Sequence, residues 1–173
     1  MVPVRLCPLV LVADDNADLA DSLGWCLEAV GYRTAVAYDG RQAIESACAL
    51  RPSIVILDLA MPRVDGYAAA REIRAVLGED VLMIAHTAWG HEGARQRTME
   101  AGFNHHVVKT TELTVLLRLL TGYEKQLVTT AAMVPARRIE AALPTSEPGR
   151  RYLADATPTA PLCRPLLVEI ASA

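Results

Sequence analysis

Apolar residues follow two alternating rhythms along this chain. Leu9-Val10-Leu11-Val12-Ala13, Ile54-Val55-Ile56-Leu57 and Val81-Leu82-Met83-Ile84-Ala85 are short unbroken runs. Runs of that length fit strands buried on both faces. Arg33 to Ala37 and residues 104–108 are less apolar and complete a set of five predicted strands. Between them the apolar positions fall at helical spacing. Leu19, Leu23, Leu27 and Val30 predict a helix over 17–30, which Gly31 stops. Asp39 can cap a second helix with Ala43, Ile44, Ala47 and Cys48 inward, ended by Arg51-Pro52. A third helix is expected over 67–77, with Ala70, Ile73 and Leu77 inward, and a fourth over 91–101, stopped by Gly102. A fifth begins near Thr111 or Glu112 and carries Leu113, Leu116, Leu117 and Leu120.

Strands alternating with helices imply right-handed crossovers, a parallel sheet and helices on both faces. The expected class is therefore α/β, a flavodoxin-like doubly wound sheet of five strands in the order 2-1-3-4-5. Residues 8–122 form the expected domain. From Tyr123 the character changes. Nine of ten glycines precede it, and six of ten prolines follow it. Residues 123–173 are rich in Ala, Thr and Pro and are expected to be a disordered or loosely packed tail. Within it, 136–143 could form a helix, and Leu166 to Ile170 a lone strand or docking segment.

Charge and cysteine content narrow the function. The net charge is −3, with 11 basic and 15 acidic side chains over 1–122 and 6 and 5 over 123–173. Neither part has a basic stripe, so no nucleic-acid partner is expected. Cys7, Cys26, Cys48 and Cys163 form no CxxC pair and read as free thiols of a reducing compartment. No apolar run approaches the ~20 residues of a membrane helix, and Met1 to Val12 makes a poor secretory signal. A cytoplasmic protein without a membrane partner is expected.

The chemistry lies where the apolar runs stop. Leu9 to Ala13 runs into Asp14-Asp15, Ile54 to Leu57 into Asp58, and His105-His106-Val107-Val108 into Lys109. In the order 2-1-3-4-5 the first and third strands are neighbours, so these charges gather at one sheet edge, at the switch point. Asp14 and Asp15 are adjacent at a strand end, so their side chains are expected to diverge. Carboxylates are hard oxygen ligands that suit a divalent metal such as magnesium. Fifteen of the seventeen basic residues are arginine, yet position 109 is lysine. A compact ammonium suits a cramped site between carboxylates better than a wide guanidinium.

The ordered set Asp14-Asp15, Asp58, Met61-Pro62, Asp65-Gly66, Thr87-Ala88 and Lys109 resembles the receiver domain of two-component response regulators. The resemblance covers roughly residues 8–121. It implies that Asp58 accepts a phosphoryl group from a phosphohistidine. The donor would be a sensor histidine kinase or a histidine phosphotransfer protein. It also implies that Asp15, Asp58 and the main-chain carbonyl of Ala60 bind magnesium, while Asp14 completes the acidic pocket. Lys109 would pair with the phosphoryl oxygens, and Thr87 would hydrogen-bond them.

The chain departs from that family on the lysine side. Thr110 stands where a proline usually follows in a cis peptide. A cis bond before a non-proline costs about 3 kcal/mol, so a trans bond and a different aim for Lys109 are expected. His106 takes the position of the family's switch aromatic. Adjacent strand residues face opposite ways, so His105 and His106 cannot chelate one ion. His86 and His91 read as loop-surface residues flanking Thr87. Ala60 and Trp89 border the expected phosphate, and neither can orient a water, so slow self-dephosphorylation is expected.

Other functions fit less well. A dehalogenase-type aspartyl phosphatase wants a second acid two residues after its nucleophile, where this chain has Ala60. A dinucleotide-binding dehydrogenase wants GxGxxG after the first strand, where this chain has Asp14-Asp15-Asn16-Ala17. The tail lacks a helix-turn-helix pattern, so a single domain without DNA-binding output is expected, acting through a protein partner. A pseudo-receiver that binds proteins without being phosphorylated is the alternative.

Overall fold

A computed structural model describes residues 8–133 of the chain. The predicted helix over 136–143 and segment Leu166 to Ile170 lie outside the described residues. Ten elements alternate in order: β1 (Leu9–Ala13), α1 (Ala17–Ala29), β2 (Arg33–Ala37), α2 (Gly40–Leu50), β3 (Ile54–Leu57), α3 (Gly66–Leu77), β4 (Leu82–Thr87), α4 (Glu92–Glu100), β5 (His105–Val108) and α5 (Leu113–Met133). The strands make one sheet in the order β2-β1-β3-β4-β5, and every pairing is parallel. The expected flavodoxin-like order 2-1-3-4-5 is the observed one.

The continuous apolar runs are explained by the two-layer core. Successive strand residues point to opposite faces. Val10, Val12, Ile54, Ile56, Ile84 and Val107 bury one face under Ala20 and Leu27 of α1 and Leu116 and Leu120 of α5. Leu11, Val55, Leu57, Met83 and Ala85 bury the other under Ala43 and Ala47 of α2 and Ala70 and Ile73 of α3. Each run serves both cores, so no position in it can be polar.

Three boundaries differ from expectation. The α1 stripe is rotated: Leu19 and Val30 are exposed, while Ala20 and Leu27 are buried. β4 runs two residues further than Ala85 and ends on Thr87, which pairs with Val108 of β5. α5 continues past 122 to Met133, so the first eleven residues of the expected tail are helical. Tyr123 packs against the α1–α5 core layer, and its hydroxyl donates to the Asp80 carbonyl. The side chains of Glu124 and Tyr32 are also hydrogen-bonded. No helix among the described residues is long and apolar enough to cross a membrane.

Candidate functional site

Asp14, Asp58 and Lys109 are each held by a backbone hydrogen bond that extends the sheet ladder past the preceding strand. Asp14 N donates to Ala37 O at 3.2 Å, Asp58 N to Ala13 O at 2.8 Å, and Lys109 N to Thr87 O at 2.8 Å. β1, β3 and β5 thus deliver their next residues to one edge of the sheet. Asp14, Asp58 and Thr87 are buried there, and Asp15 is exposed.

The Lys109 ammonium lies between two carboxylates, 2.7 Å from Asp14 Oδ2 and 3.0 Å from Asp58 Oδ2. The remaining oxygens are engaged by backbone. Asp14 Oδ1 accepts from Asn16 N at 3.0 Å, and Asp58 Oδ1 from Leu59 N at 2.7 Å. Burial pushes the lysine pKa down, but hydrogen bonds and charge from Asp14 and Asp58 outweigh it, and the net direction is up. The ammonium is therefore charged at neutral pH. His86 moves the other way, lowered first by burial and then by the Lys109 charge, so its ring is kept neutral.

One carboxylate oxygen from each of Asp14, Asp15 and Asp58 lies within 4.8 Å of the others. The expectation that Asp14 and Asp15 diverge is corrected here. Both lie beyond the last residue of β1, where strand alternation no longer governs direction. The cluster outnumbers its ammonium three to one, and its all-oxygen donor set suits magnesium. Ala60, whose carbonyl is expected to join Asp15 and Asp58 as a ligand, is exposed two residues after Asp58.

Thr87 closes the other side. Its Oγ1 accepts from Trp89 N at 3.2 Å. No cis peptide occurs among the described residues, so the Lys109–Thr110 bond is trans, as expected. The lysine nonetheless reaches both carboxylates. His105 is exposed, whereas His106 faces α4, its Nε2 donating to Trp89 O at 2.7 Å and its Nδ1 lying 3.2 Å from Thr98 Oγ1. His86 and His91 are not the simple loop-surface residues expected. His86 lies within β4 and is half-buried, lining a cavity with Leu19, Leu23 and Cys26 of α1. His91 caps α4, its Nδ1 accepting from Ala94 N at 3.2 Å.

The model of the response regulator receiver domain matches residues 10–121. The chain belongs to the response regulator receiver domain family. The receiver domain of the sensor histidine kinase PA1611 from Pseudomonas aeruginosa PAO1, solved with magnesium coordinated in its active-site cleft, is 34% identical. Its TM-score is 0.63, and the match covers 68% of this chain and 98% of that one. A CheY-like receiver domain from Methanospirillum hungatei JF-1, 16% identical, has the same fold at a TM-score of 0.66, covering 71% and 98%. Response regulator MprA of Mycolicibacterium vanbaalenii is 34% identical over 116 residues, 67% of this chain and 48% of MprA. Transcriptional regulatory protein PrrA of Mycobacterium tuberculosis is 32% identical over 144 residues, 83% of this chain and 61% of PrrA. The chain thus spans about half to three fifths of these regulators' length. The resemblance carried by the ordered aspartates and lysine is borne out. Receiver domains bind magnesium in their acidic pocket, and the pocket of this receiver domain has the matching donors.

Proposed function

We propose that this receiver domain accepts a phosphoryl group on Asp58 from the phosphohistidine of a sensor histidine kinase or histidine phosphotransfer protein. The observation that carries the reading is the position of Lys109, whose ammonium contacts Asp58 at 3.0 Å in a buried site open beside the exposed Asp15. A carboxylate oxygen of Asp58 forms the new P–O bond as the P–N bond of the donor breaks. The departing imidazole nitrogen then takes a proton from solvent. Asp15, Asp58 and the Ala60 carbonyl would hold magnesium, with Asp14 completing the pocket. Bound there, magnesium offsets repulsion between the carboxylates and the incoming phosphoryl oxygens. Lys109 pairs with those oxygens in exchange for its present contact with Asp58, and the Thr87 hydroxyl donates to them.

Residues 123–173 lack a helix-turn-helix pattern and a basic face. For these residues that favours a protein partner over DNA. The domain is a phosphorylated signalling module, and slow loss of its own phosphate is the only hydrolysis assigned to it.

The test is intact-mass measurement after incubation with a small phosphodonor and magnesium chloride. One phosphate is expected on the wild type and none on Asp58→Ala. No adduct on the wild type would favour the pseudo-receiver reading. An adduct on both would place the phosphate elsewhere.

A further inference from the structure

The loop between Asp58 and α3 contains a backbone conformation that calls for an explanation. Arg63 has φ +67°, in the left-handed region that side-chain-bearing residues seldom adopt. Val64 N donates to Pro62 O at 2.8 Å, closing a three-residue γ-turn of the uncommon hand about Arg63. Such a conformation persists where its surroundings over-determine it.

Those surroundings come from two directions. Arg63 Nη2 donates to Asp39 Oδ2 at 2.7 Å. Asp39 is a fixed anchor: it is buried, and it caps α2 by accepting from Gln42 N at 2.8 Å and from Gln42 Nε2 at 3.2 Å. Beside it, Gly40 lies so close beneath the loop that a Cβ there would stand 2.2 Å from Val64 O. At the loop's far end Gly66 N donates to Leu59 O at 3.0 Å. A Cβ on Gly66 would stand 2.1 Å from Asp58 O. Ala60 lies on the stretch between these anchors. Among the described residues no hydrogen bond or ion pair joins Arg63 to the acidic site, so any positioning effect on it passes through the backbone.

We propose that Arg63 and Asp39 are positioning residues for magnesium: their ion pair holds the turn that places the Ala60 carbonyl beside Asp58. The proposal rests on the reading of this pocket as a magnesium-binding phosphoacceptor site. It differs in sign from a simple charge effect. Arg63 is a cation, and the pocket carries three carboxylates. Losing its charge alone would tighten magnesium binding. Losing its hold on the turn loosens it.

The experiment is calorimetric titration of the full chain with magnesium chloride at fixed ionic strength, for wild type, Arg63→Met and Arg63→Gly. Removing partners that orient metal ligands commonly costs ten- to a hundredfold in affinity. Because Arg63 is mostly exposed, roughly three- to tenfold weaker binding is expected for Arg63→Met. Arg63→Gly adopts the turn without strain, needs no clamp, and is expected to recover most of the loss. Arg63→Gln replaces Arg63→Met if the latter fails to fold by circular dichroism. Unchanged or tighter binding in Arg63→Met, with wild type binding normally, would overturn this inference alone. Equal losses in Met and Gly variants would also overturn it, since the turn would then not be the link. A wild type that binds no magnesium would overturn the reading of the pocket, and this inference with it.

Discussion

Replacing Lys109 by methionine removes the cation that bridges Asp14 and Asp58. Its ammonium sits 2.7 Å from Asp14 and 3.0 Å from Asp58, two side chains that are each 5% exposed. Methionine keeps most of the stem and removes the charge, leaving both carboxylates facing Asp15 with nothing between them. Breaking a buried ion pair by deleting one partner costs about 3–5 kcal/mol. The lysine is one-fifth exposed, which lowers the figure. The expected loss is therefore about 2–4 kcal/mol, or on the order of 10 °C in Tm. Urea unfolding in EDTA measures it. The same charges predict a second, opposite effect. Three carboxylates without their ammonium attract a divalent cation more strongly, so magnesium chloride should stabilise Lys109→Met more than wild type and narrow the gap. A variant as stable as wild type in EDTA would refute the account of Lys109 as the electrostatic bridge. A gap that widens with magnesium would refute the account of the pocket's charge.

Three further outcomes are expected of this domain. Ala60→Asn puts an amide capable of orienting water at an exposed position beside Asp58, and acyl-phosphate decay is expected to speed up roughly tenfold; an unchanged decay rate would count against Ala60 as the reason for slow hydrolysis. Leu120 is fully buried between α5 and the sheet, so Leu120→Ala should cost about 2–5 kcal/mol in urea unfolding, and a loss under 1 kcal/mol would contradict that packing. Stability should be flat from neutral pH to about 10 and fall above it. Lys109 is raised by its carboxylates, and Tyr32 is pushed up to about 12 by burial and then by its hydrogen bond to Glu124. Both groups hold their protons more tightly when folded, so their contribution is complete below the unfolded pKa and disappears as pH rises through the folded one. A chain whose stability rises between pH 10 and 12 would refute both assignments.

Much of this molecule is legible from its apolar runs, and the misses have identifiable physical causes. β1 and β3 are apolar at every position because each faces two cores, and their ends locate Asp14 and Asp58 without further information. β4 was expected to stop at Ala85 because His86 and Thr87 are polar. They remain in the strand because Val107 and Val108 continue to pair with them. α5 was expected to end near a change in composition at Tyr123. Tyr123 continues the helix because its ring has a place in the core and its hydroxyl a partner in Asp80, neither of which composition encodes. The cap of α1 is Asn16, not an aspartate, which frees both acids for the site. The Arg63–Asp39 pair spans 24 residues of sequence and no periodicity announces it.

The aim of Lys109 shows why a local departure need not disturb a site. Thr110 in place of proline led to the expectation of a trans bond and hence a redirected lysine. The bond is trans, yet the ammonium bridges Asp14 and Asp58. The direction of a side chain at a strand end depends first on what precedes it. Lys109 N is tied to Thr87 O at 2.8 Å, one step beyond the last β4–β5 pair, which fixes the Cα and the Cβ vector before Thr110 is reached. Thr111 N then turns back to Val108 O at 2.8 Å, leaving the lysine at the head of a closed turn. Four methylenes take the ammonium the rest of the way, and two buried carboxylates give it a strong reason to stop there. A stiffer or shorter cation would have depended on the following peptide. Lysine does not, so the ladder and the acids together set its position.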